Sequence, residues 1–193
     1  YDTRLHLART ARDVVELIAE GIDVNSEDSL GMTPLHVAGS VEVAEALLDN
    51  KAKINYWASE PIDYEWADEN DSGTPLRREH IALLLIKRGA ELSNDQDSKG
   101  NTALANHVRW NNFSVVEEMI RKKPGLVVDA DDIICATEED DDKLLRLLLS
   151  VNGAGKNPGG RTALHNARKR LKLLLEFGAD VNARDRDGDS PLH

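Results

Sequence analysis

Short apolar stripes recur along this chain at helical spacing. Val14, Leu17 and Ile18, for example, fall on one face of a helix. Helices of this length are marginally stable alone, so each of them must pack on a neighbour. The pattern predicts six such helices, at residues 13–19, 41–48, 81–86, 114–120, 143–149 and 171–177.

A polar opening recurs ahead of several of these helices. The sequence Gly-Met-Thr-Pro-Leu-His at 31–36 returns in degenerate form at 73–76, 100–104, 160–165 and 188–193. A unit that repeats every 20 to 50 residues or so decides the fold before local propensity does. Glycine follows several of the predicted helices, where the chain needs a left-handed residue to turn back. These glycines are Gly21, Gly89 and Gly178.

These features resemble the ankyrin repeat, whose pattern reads approximately D-x-x-G-x-T-P-L-H-x-A, a helix rich in Val and Leu, then G-A-D-V-N. The resemblance covers nearly the whole chain. It implies an all-α ankyrin-repeat solenoid of helix-turn-helix units, with projecting β-turn fingers and a concave recognition face. We expect a single domain over 1–193 with about six repeats, the first and last truncated. The predicted units end at about Ser26 and then span 27–56, 70–94, 95–128, 129–156 and 157–182, before a capping fragment from Ala183.

Some units depart from this pattern. The segment between the opening and the second helix is short after Thr33, Thr74 and Thr162, so we expect shortened first helices and less stable layers there. The unit at 129–156 lacks the opening and is assigned from its two helical stretches. Lys51 stands where glycine would end a helix, at a cost of up to about 1 kcal/mol if that residue is left-handed.

Composition narrows the classes of partner. The formal net charge of −11 repels nucleic acid and anionic lipid surfaces. The longest apolar run, 81–86, is far shorter than the roughly 20 residues of a membrane span, so we expect no membrane insertion. We expect a monomer that is located in the cytoplasm. The chain opens at Tyr1 and closes at His193, so both ends look cut and the N-terminus is expected to be processed.

No stretch outside the repeat pattern indicates catalysis or metal binding. His6, His36 and His165 occupy the same place in successive repeats, which favours a structural hydrogen-bonding role over a shared metal site. The acidic stretch 185–189 lacks the residue order of a calcium loop, and 153–157 lacks that of a phosphate loop. We therefore expect no enzymatic activity, no metal and no cofactor.

Two acidic regions leave alternatives open. The insertion at 56–72 carries four aromatic residues interleaved with carboxylates; in a repeat array it either projects as an anchor for a basic partner or folds back over the thinned layer at Arg77 and Arg78. The acidic run between 129 and 142 is either a solvated face or a site for a cation or a basic surface.

The resemblance implies a protein-protein interaction module. We expect it to bind a partner protein through its concave face, its fingers and the aromatic insertion, as an inhibitor or immunity-type protein that caps an enzyme. The alternative is a targeting domain of a larger enzyme or secreted effector whose catalytic part lies outside this chain. Asn25 and Asn182 resemble asparagines that are hydroxylated in many ankyrin proteins. The candidate partner-binding residues are Tyr56, Trp57, Tyr64, Trp66, Ser29, Leu30, Met32, Ser98, Lys99, Asn101, Arg186, Asp187 and Asp189.

Overall fold

The computed structural model describes residues 3–29, 31–54, 75–92, 102–138, 141–152, 162–166 and 168–192. Its helices are a 3-10 helix Arg4–Leu7, α1 Ala11–Ala19, α2 Val41–Asp49, α3 Pro75–Lys87, α4 Ala103–Arg109, α5 Phe113–Lys122, α6 Ala130–Thr137, α7 Lys143–Asn152, α8 Ala163–Asn166 and α9 Leu171–Glu176. Within these described ranges no β-strand occurs, and no helix is long and apolar enough to span a bilayer. The all-α prediction is confirmed.

Backbone contacts divide the chain into two compact units, 1–91 and 92–193. In the first unit, α1 packs on the 3-10 helix, α2 packs on α1, and α3 packs on α2. The contact between successive helices forms one apolar core, because none of them buries its apolar face alone. Its buried members are Leu5, Val14, Leu17, Leu35, Val43, Ala44, Ala46, Leu47 and Leu84.

The second unit consists of three helix pairs, α4 with α5, α6 with α7 and α8 with α9. First helices stack on first helices, since α6 contacts both α4 and α8, and α7 contacts α5. These are the predicted helix-turn-helix layers, including the layer at 129–156 that lacks the repeat opening. That all layers belong to one domain remains a prediction.

Polar side chains set where the helices begin. Thr10 accepts the Asp13 N–H at 3.1 Å, and the Asp13 carboxylate accepts the Thr10 N–H at 2.9 Å, which satisfies two donors at the start of α1. Ser40 accepts the Val43 N–H at 3.2 Å at the start of α2, and Thr102 accepts the Ala105 N–H at 3.1 Å at the start of α4. Each cap lies at the end of a polar stretch, directly before the apolar helix.

Left-handed residues end the second helices as the sequence predicts. Gly21, Gly89 and Gly178 have φ values of 94°, 93° and 81°. Lys51, which replaces glycine after α2, has a φ of 71° and so adopts the conformation that was expected to be costly. The chain therefore turns back in the same way after α2 with a lysine as after α9 with a glycine.

First helices are shortened, as expected, after two of the three named threonines. The segment after Thr33 forms only turns at 34–37, and α8, after Thr162, has four residues against the seven of α4. Thr74 lies outside the described residues. The helix predicted at 81–86 is longer in the structure: α3 starts at Pro75, because proline is well suited to the first position of a helix.

Candidate partner-binding surface

A tight turn at 28–32 forms the first finger. The Asp28 backbone N–H donates to Met32 O at 2.9 Å, and the Asp28 carboxylate accepts the Met32 N–H at 2.9 Å. Gly31 donates its N–H to Asp28 O at 3.1 Å and has a φ of 73°, a conformation that glycine adopts without strain. Aspartate and glycine thus close the turn, while Ser29 is exposed and Met32 is half-buried.

A second finger at 185–189 has the same construction. The Asp185 N–H donates to Asp189 O, and the Asp185 carboxylate accepts the Asp189 N–H, both at 3.0 Å. The same carboxylate accepts the Asp187 N–H at 3.0 Å, and Gly188 has a φ of 86°. Asp185 is buried, and its carboxylate is engaged in these hydrogen bonds. The exposed residues of this finger are Arg186, Asp187 and Asp189.

A histidine from the preceding layer holds the base of each finger. His6 Nε2 lies 2.9 Å from Met32 O, and His165 Nε2 lies 3.1 Å from Asp189 O. In both cases the acceptor is the carbonyl of the last finger residue. The histidines therefore act as hydrogen bonders between layers, the role that the sequence predicted for them, and they fix where each finger tip is presented.

The second ring nitrogen determines the tautomer. Nδ1 of His36 accepts the Thr33 backbone N–H at 2.9 Å, and Nδ1 of His165 accepts the Thr162 backbone N–H at 3.0 Å. A backbone N–H can only donate, so Nδ1 carries no proton and the ring is neutral, with its hydrogen on Nε2. The Nε2–H of His165 is then the donor to the Asp189 carbonyl.

Burial reinforces the neutral state of His36. Burial lowers the pKa of His36, the nearby His6 lowers it further, and the carboxylate of Asp28 opposes both. A proton on Nδ1 would displace the Thr33 N–H from its acceptor. We therefore expect acid to weaken the hydrogen bond from the Thr33 N–H to His36, which holds the opening turn of the second layer.

The layer of α6 begins with a pair of aspartates instead of the threonine and histidine. Asp129 accepts the N–H groups of Asp131 and Asp132 at 2.9 Å, and Asp132 accepts the Asp129 N–H at 3.1 Å. Asp132 is 6% exposed, and burial raises its pKa to about 6, although the hydrogen bond from Asp129 lowers it. These members of the acidic run thus serve to start a helix.

Comparison with known proteins agrees with this geometry. The family model described as Ankyrin repeat matches residues 30–58 and 159–186. The ankyrin-repeat domain of Bcl-3 superposes with a TM-score of 0.73 over 99% of this chain and 92% of that one, at 23% identity. That of human ASB11 superposes with a TM-score of 0.68 over 99% and 90%, at 22% identity. The chain is an ankyrin-repeat protein.

Two curated relatives match most of this chain within a much longer sequence. NF-kappa-B inhibitor zeta of Bos taurus is 29% identical over 206 residues, which cover 93% of this chain and 27% of that protein. NAD-dependent deacetylase sir2B of Dictyostelium discoideum is 26% identical over 185 residues, covering 93% and 21%. The chain thus spans about a quarter of the length of the relatives it matches. The ankyrin-repeat family itself indicates a non-catalytic module for protein-protein interaction.

The structure describes part of the predicted binding surface of this ankyrin-repeat protein. Ser29, Met32, Arg186, Asp187 and Asp189 lie on the two fingers, as described above. Whether they contact a partner stays a prediction. The other candidates lie outside the described residues: Leu30, Tyr56, Trp57, Tyr64, Trp66, Ser98, Lys99 and Asn101.

The two candidate hydroxylation sites differ in their surroundings. Asn25 Oδ1 accepts the Lys53 N–H at 2.7 Å, so its side chain joins the loop of the first layer to that of the second. Asn182 is exposed, and its backbone N–H donates to the Asp180 carboxylate at 2.9 Å. Hydroxylation remains a prediction at both positions, and an enzyme would reach Asn182 with less disturbance of the fold.

Sequence reasoning missed a cleft between α7 and α9. It has a volume of about 400 Å³ and is lined by Asp142 and Arg146 on one side and by 170–173 and Glu176 on the other. The sequence carried one signal of it, since Arg170 interrupts the apolar pattern ahead of Leu171. A second cleft, next to α1, is lined largely by charged side chains that include Arg4 and Glu20.

Across the residues that the structure describes, no group of three or more histidine, cysteine or carboxylate side chains is arranged to hold a metal ion. The histidines that would supply ligands are instead engaged by Thr33 and Thr162 through Nδ1. Cys135 is a free, half-buried thiol.

Proposed function

We propose that this chain is a binding module for a partner protein, which it contacts through its finger tips, its concave face and the aromatic insertion at 56–72. The construction of the fingers carries the proposal. Each finger is held by backbone hydrogen bonds, by its own aspartate carboxylate and by a histidine of the preceding layer. The side chains of Ser29, Arg186 and Asp187 at the tips take no part in these bonds, so they can contact a partner. A preformed surface of this kind loses little conformational entropy when a partner binds.

An inhibitor that caps its target is the specific form that we propose. It is supported by the similarity to NF-kappa-B inhibitor zeta, whose name states that activity for that protein. The insertion at 56–72 would supply Trp57 and Trp66 as aromatic anchors, and its carboxylates would favour a partner with a basic surface.

The test is a quantitative binding measurement on the partner isolated by cross-linking to the intact chain. We expect Arg186→Ala with Asp187→Ala, and separately Trp57→Ala with Trp66→Ala, to weaken binding by about tenfold or more, as interface anchors do. Arg12→Ala with Glu45→Ala is the matched control, because both side chains are exposed on the second helices, away from the fingers. Equal affinity of all three double variants and the parent chain would reject the proposed surface.

A targeting domain of a larger enzyme is the second candidate. It is favoured by the similarity to NAD-dependent deacetylase sir2B, of which the chain spans 21%. The full reading frame distinguishes the two functions, because an adjoining catalytic domain would support targeting, and further repeats alone would contradict it.

A further inference from the structure

Charge along the second unit falls into two blocks of opposite sign. Residues 129–142 contain eight aspartates and glutamates and no lysine or arginine, whereas residues 143–175 contain eight lysines and arginines and no acidic residue. Parts of the two blocks meet in the fold, because the acidic block ends between α6 and α7 and the basic residues 168–170 connect α8 to α9 in the next layer. Like charges within each block repel one another, so each block is stabilised by contact with the other.

Ion pairs join the two blocks across the layers. Arg170 Nε lies 2.8 Å from Asp142 Oδ1, and both of these atoms are buried. Lys169 Nζ donates to the Glu138 carbonyl at 3.2 Å and lies 3.7 Å from Glu138 Oε2. Water screens a buried pair of atoms less than an exposed pair, so the contact of Arg170 should stabilise the layer more than that of Lys169.

A second carboxylate also acts on Arg170. The pKa of Asp141 is lowered, mainly by the hydrogen bond from the Lys143 N–H and to a smaller extent by the charges of Lys143 and Arg170. Asp141 and Asp142 thus both act on Arg170, whose side chain is 30% exposed. Arg146 lies 3.8 Å from Asp142, but it belongs to α7 of the same layer and does not join one layer to the next.

The position of Arg170 belongs to the apolar core in another layer. Eight residues before the left-handed residue that ends each helix, Lys51 or Gly178, stand Val43 in α2 and Arg170 in α9. Val43 is 2% exposed and packs in the core of the first unit. Helix α9 therefore has a guanidinium where α2 has a core side chain, and Arg170 lines the cleft between α7 and α9. Ion pairs thus supply part of the stability that apolar packing gives to the layer of α2.

The backbone of Arg170 is strained. Its φ of 59° is a left-handed conformation, which costs free energy in any residue other than glycine. Such a conformation persists only where the surrounding contacts hold it. The ion pair with Asp142 is such a contact, so its loss should allow the start of α9 to relax away from the α6–α7 layer.

We propose that Lys169 and Arg170 form a charge latch, which holds the α8–α9 layer on the carboxylates of the α6–α7 layer. When the latch is released, the α8–α9 layer opens while α4 to α7 stay folded. The finger at 185–189 opens with it, because His165 of α8 supports the Asp189 carbonyl at 3.1 Å. The latch thus controls whether this finger is presented; its effect on partner binding rests on the proposed function, whereas the latch itself does not.

The latch also bears on the two interpretations of the acidic run. The carboxylates of Glu138 and Asp142 face cations of the same chain. A basic partner or a cation at these carboxylates would therefore compete with Lys169 and Arg170. Such a competitor would release the latch and open the α8–α9 layer.

Native-state hydrogen exchange of the full chain, measured by mass spectrometry, tests the latch. When NaCl is raised from about 0.05 M to about 0.5 M, salt screens the ion pairs more strongly. We expect exchange of the α9 amides to become faster by about fivefold or more relative to the amides of α4 and α5. The amides of Gly188 and Asp189 in the finger should become faster together with those of α9.

Charge reversal tests which cations form the latch. Lys169→Glu with Arg170→Glu places like charges on the carboxylates and should make α9 exchange faster by about tenfold or more. Arg168→Glu with Lys172→Glu is the matched control, because it changes the net charge equally within the same stretch, at exposed side chains. The control should alter α9 exchange by no more than about threefold.

Milder variants keep the test valid if charge reversal prevents folding. Arg170→Gln removes the charge alone and should abolish most of the salt dependence of α9 exchange. Glu138→Lys with Lys169→Glu exchanges the partners of one pair. Each single change should make α9 exchange about two- to threefold faster, and the double variant should lie closer to the parent than either single variant.

Several outcomes would overturn the latch: α9 exchange that does not respond to salt, equal acceleration by the two double charge reversals, or an unchanged salt dependence in Arg170→Gln. Finger amides that stay protected while α9 opens would overturn the link to the finger. The proposed function fails separately, because exchange is measured on the chain without a partner. If the latch opens as expected and the finger variants bind the partner as the parent does, the proposed surface is lost and the latch stands.

Discussion

The second layer and the last layer share one opening but differ in how their second helices pack. Thr33 and His36 in the second layer, and Thr162 and His165 in the last, have matching Thr Oγ1 to His Nδ1 distances of 2.8 and 2.9 Å. Yet α2 buries four residues, Val43, Ala44, Ala46 and Leu47, whereas α9 buries only Leu173 and Leu174. The opening therefore determines the conformation of the turn and the finger, but it does not determine how many residues the second helix buries.

The length of the connection is what differs. From Thr33 to Val43, the first core position of α2, the chain has two residues more than from Thr162 to Arg170, the equivalent position of α9. The longer connection allows Ser40 to cap α2 through the Val43 N–H, whereas Arg170 turns left-handed and caps nothing with its side chain. The connection to α9 is thus two residues shorter, and α9 starts without the side-chain cap that α2 has.

The largest expected effect compares a leucine in each of these helices. Leu47→Ala in α2 should lower the free energy of unfolding by about 2–5 kcal/mol, because Leu47 is 0% exposed and its removal leaves a cavity. Leu175→Ala in α9 should cost about 0.5 kcal/mol or less, because that side chain is already half in water. Urea denaturation followed by circular dichroism measures both. Equal losses would show that α9 is as closely packed as α2.

The layer without the opening extends the comparison and should respond to pH. Burial raises the pKa of Asp132 from 3.8 to about 6, so between these values the folded state holds a proton that the unfolded state has released. Folding is then favoured by the protonated form, and this stability is lost as the pH rises through about 6. Asp132→Asn removes the charge and should be more stable than the parent at neutral pH by up to about 3 kcal/mol.

The measurement is the difference in unfolding free energy between Asp132→Asn and the parent at about pH 4 and about pH 8. The difference should be small in acid and largest in base. Asp131→Asn, an exposed neighbour on the same turn, is the matched control and should show no such dependence. A constant difference at both pH values would contradict a buried Asp132 charge.

The layers and fingers could be predicted from the sequence because their signals are local. Glycine after a helix, or Asp and Gly in a finger, sets backbone torsions within a few residues, and the left-handed Lys51 was found by its place in this pattern. The cleft could not be found in this way. Leu171 has the spacing of a core residue, yet it is 45% exposed and lines the cleft, and such exposure depends on tertiary packing that no local pattern encodes. The start of α3 was missed because Pro75 reads as a turn residue but also fits the first position of a helix.

Removal of His36 or His165 should lower the free energy of unfolding by a similar amount. Equal losses would support the view that the Thr–His opening stabilises each layer regardless of how well its second helix packs. His36→Ala leaves the N–H of Thr33 without its acceptor, and His165→Ala does the same to Thr162; both threonines are buried. Each change should cost about 1–3 kcal/mol at neutral pH. A loss confined to His36 would mean that the poorly packed last layer does not depend on its opening.

Acid should reduce the cost of His36→Ala. Burial lowers the pKa of His36, so below the unfolded value of 6.5 the unfolded state takes up a proton that the folded state resists. The stability that neutral His36 contributes is complete above pH 6.5 or so and is lost as the pH falls through its lowered pKa. This dependence has the opposite sign to that of Asp132. Unfolding free energies at about pH 7.5 and about pH 5 test it, and a cost of His36→Ala that grows in acid would contradict the neutral ring.

The smallest expected effect is a reciprocal exchange at the ends of α2 and α9. Lys51→Gly should stabilise the chain and Gly178→Lys should destabilise it, each by about 1 kcal/mol, because a side chain at a φ of 71° or 81° is strained. An added Cβ at Gly178 meets no heavy atom within 4 Å, so the cost there is one of backbone conformation alone. Lys53→Gly, at an exposed position without positive φ, is the control and should be slightly destabilising, since glycine gains freedom in the unfolded chain. Because the end of the helix is built alike in both layers, the two exchanges should be equal and opposite in denaturant melts, even though the packing of α2 and α9 differs. A stabilising effect of Lys51→Gly without a matching loss for Gly178→Lys would mean that the open cleft also relaxes the end of α9.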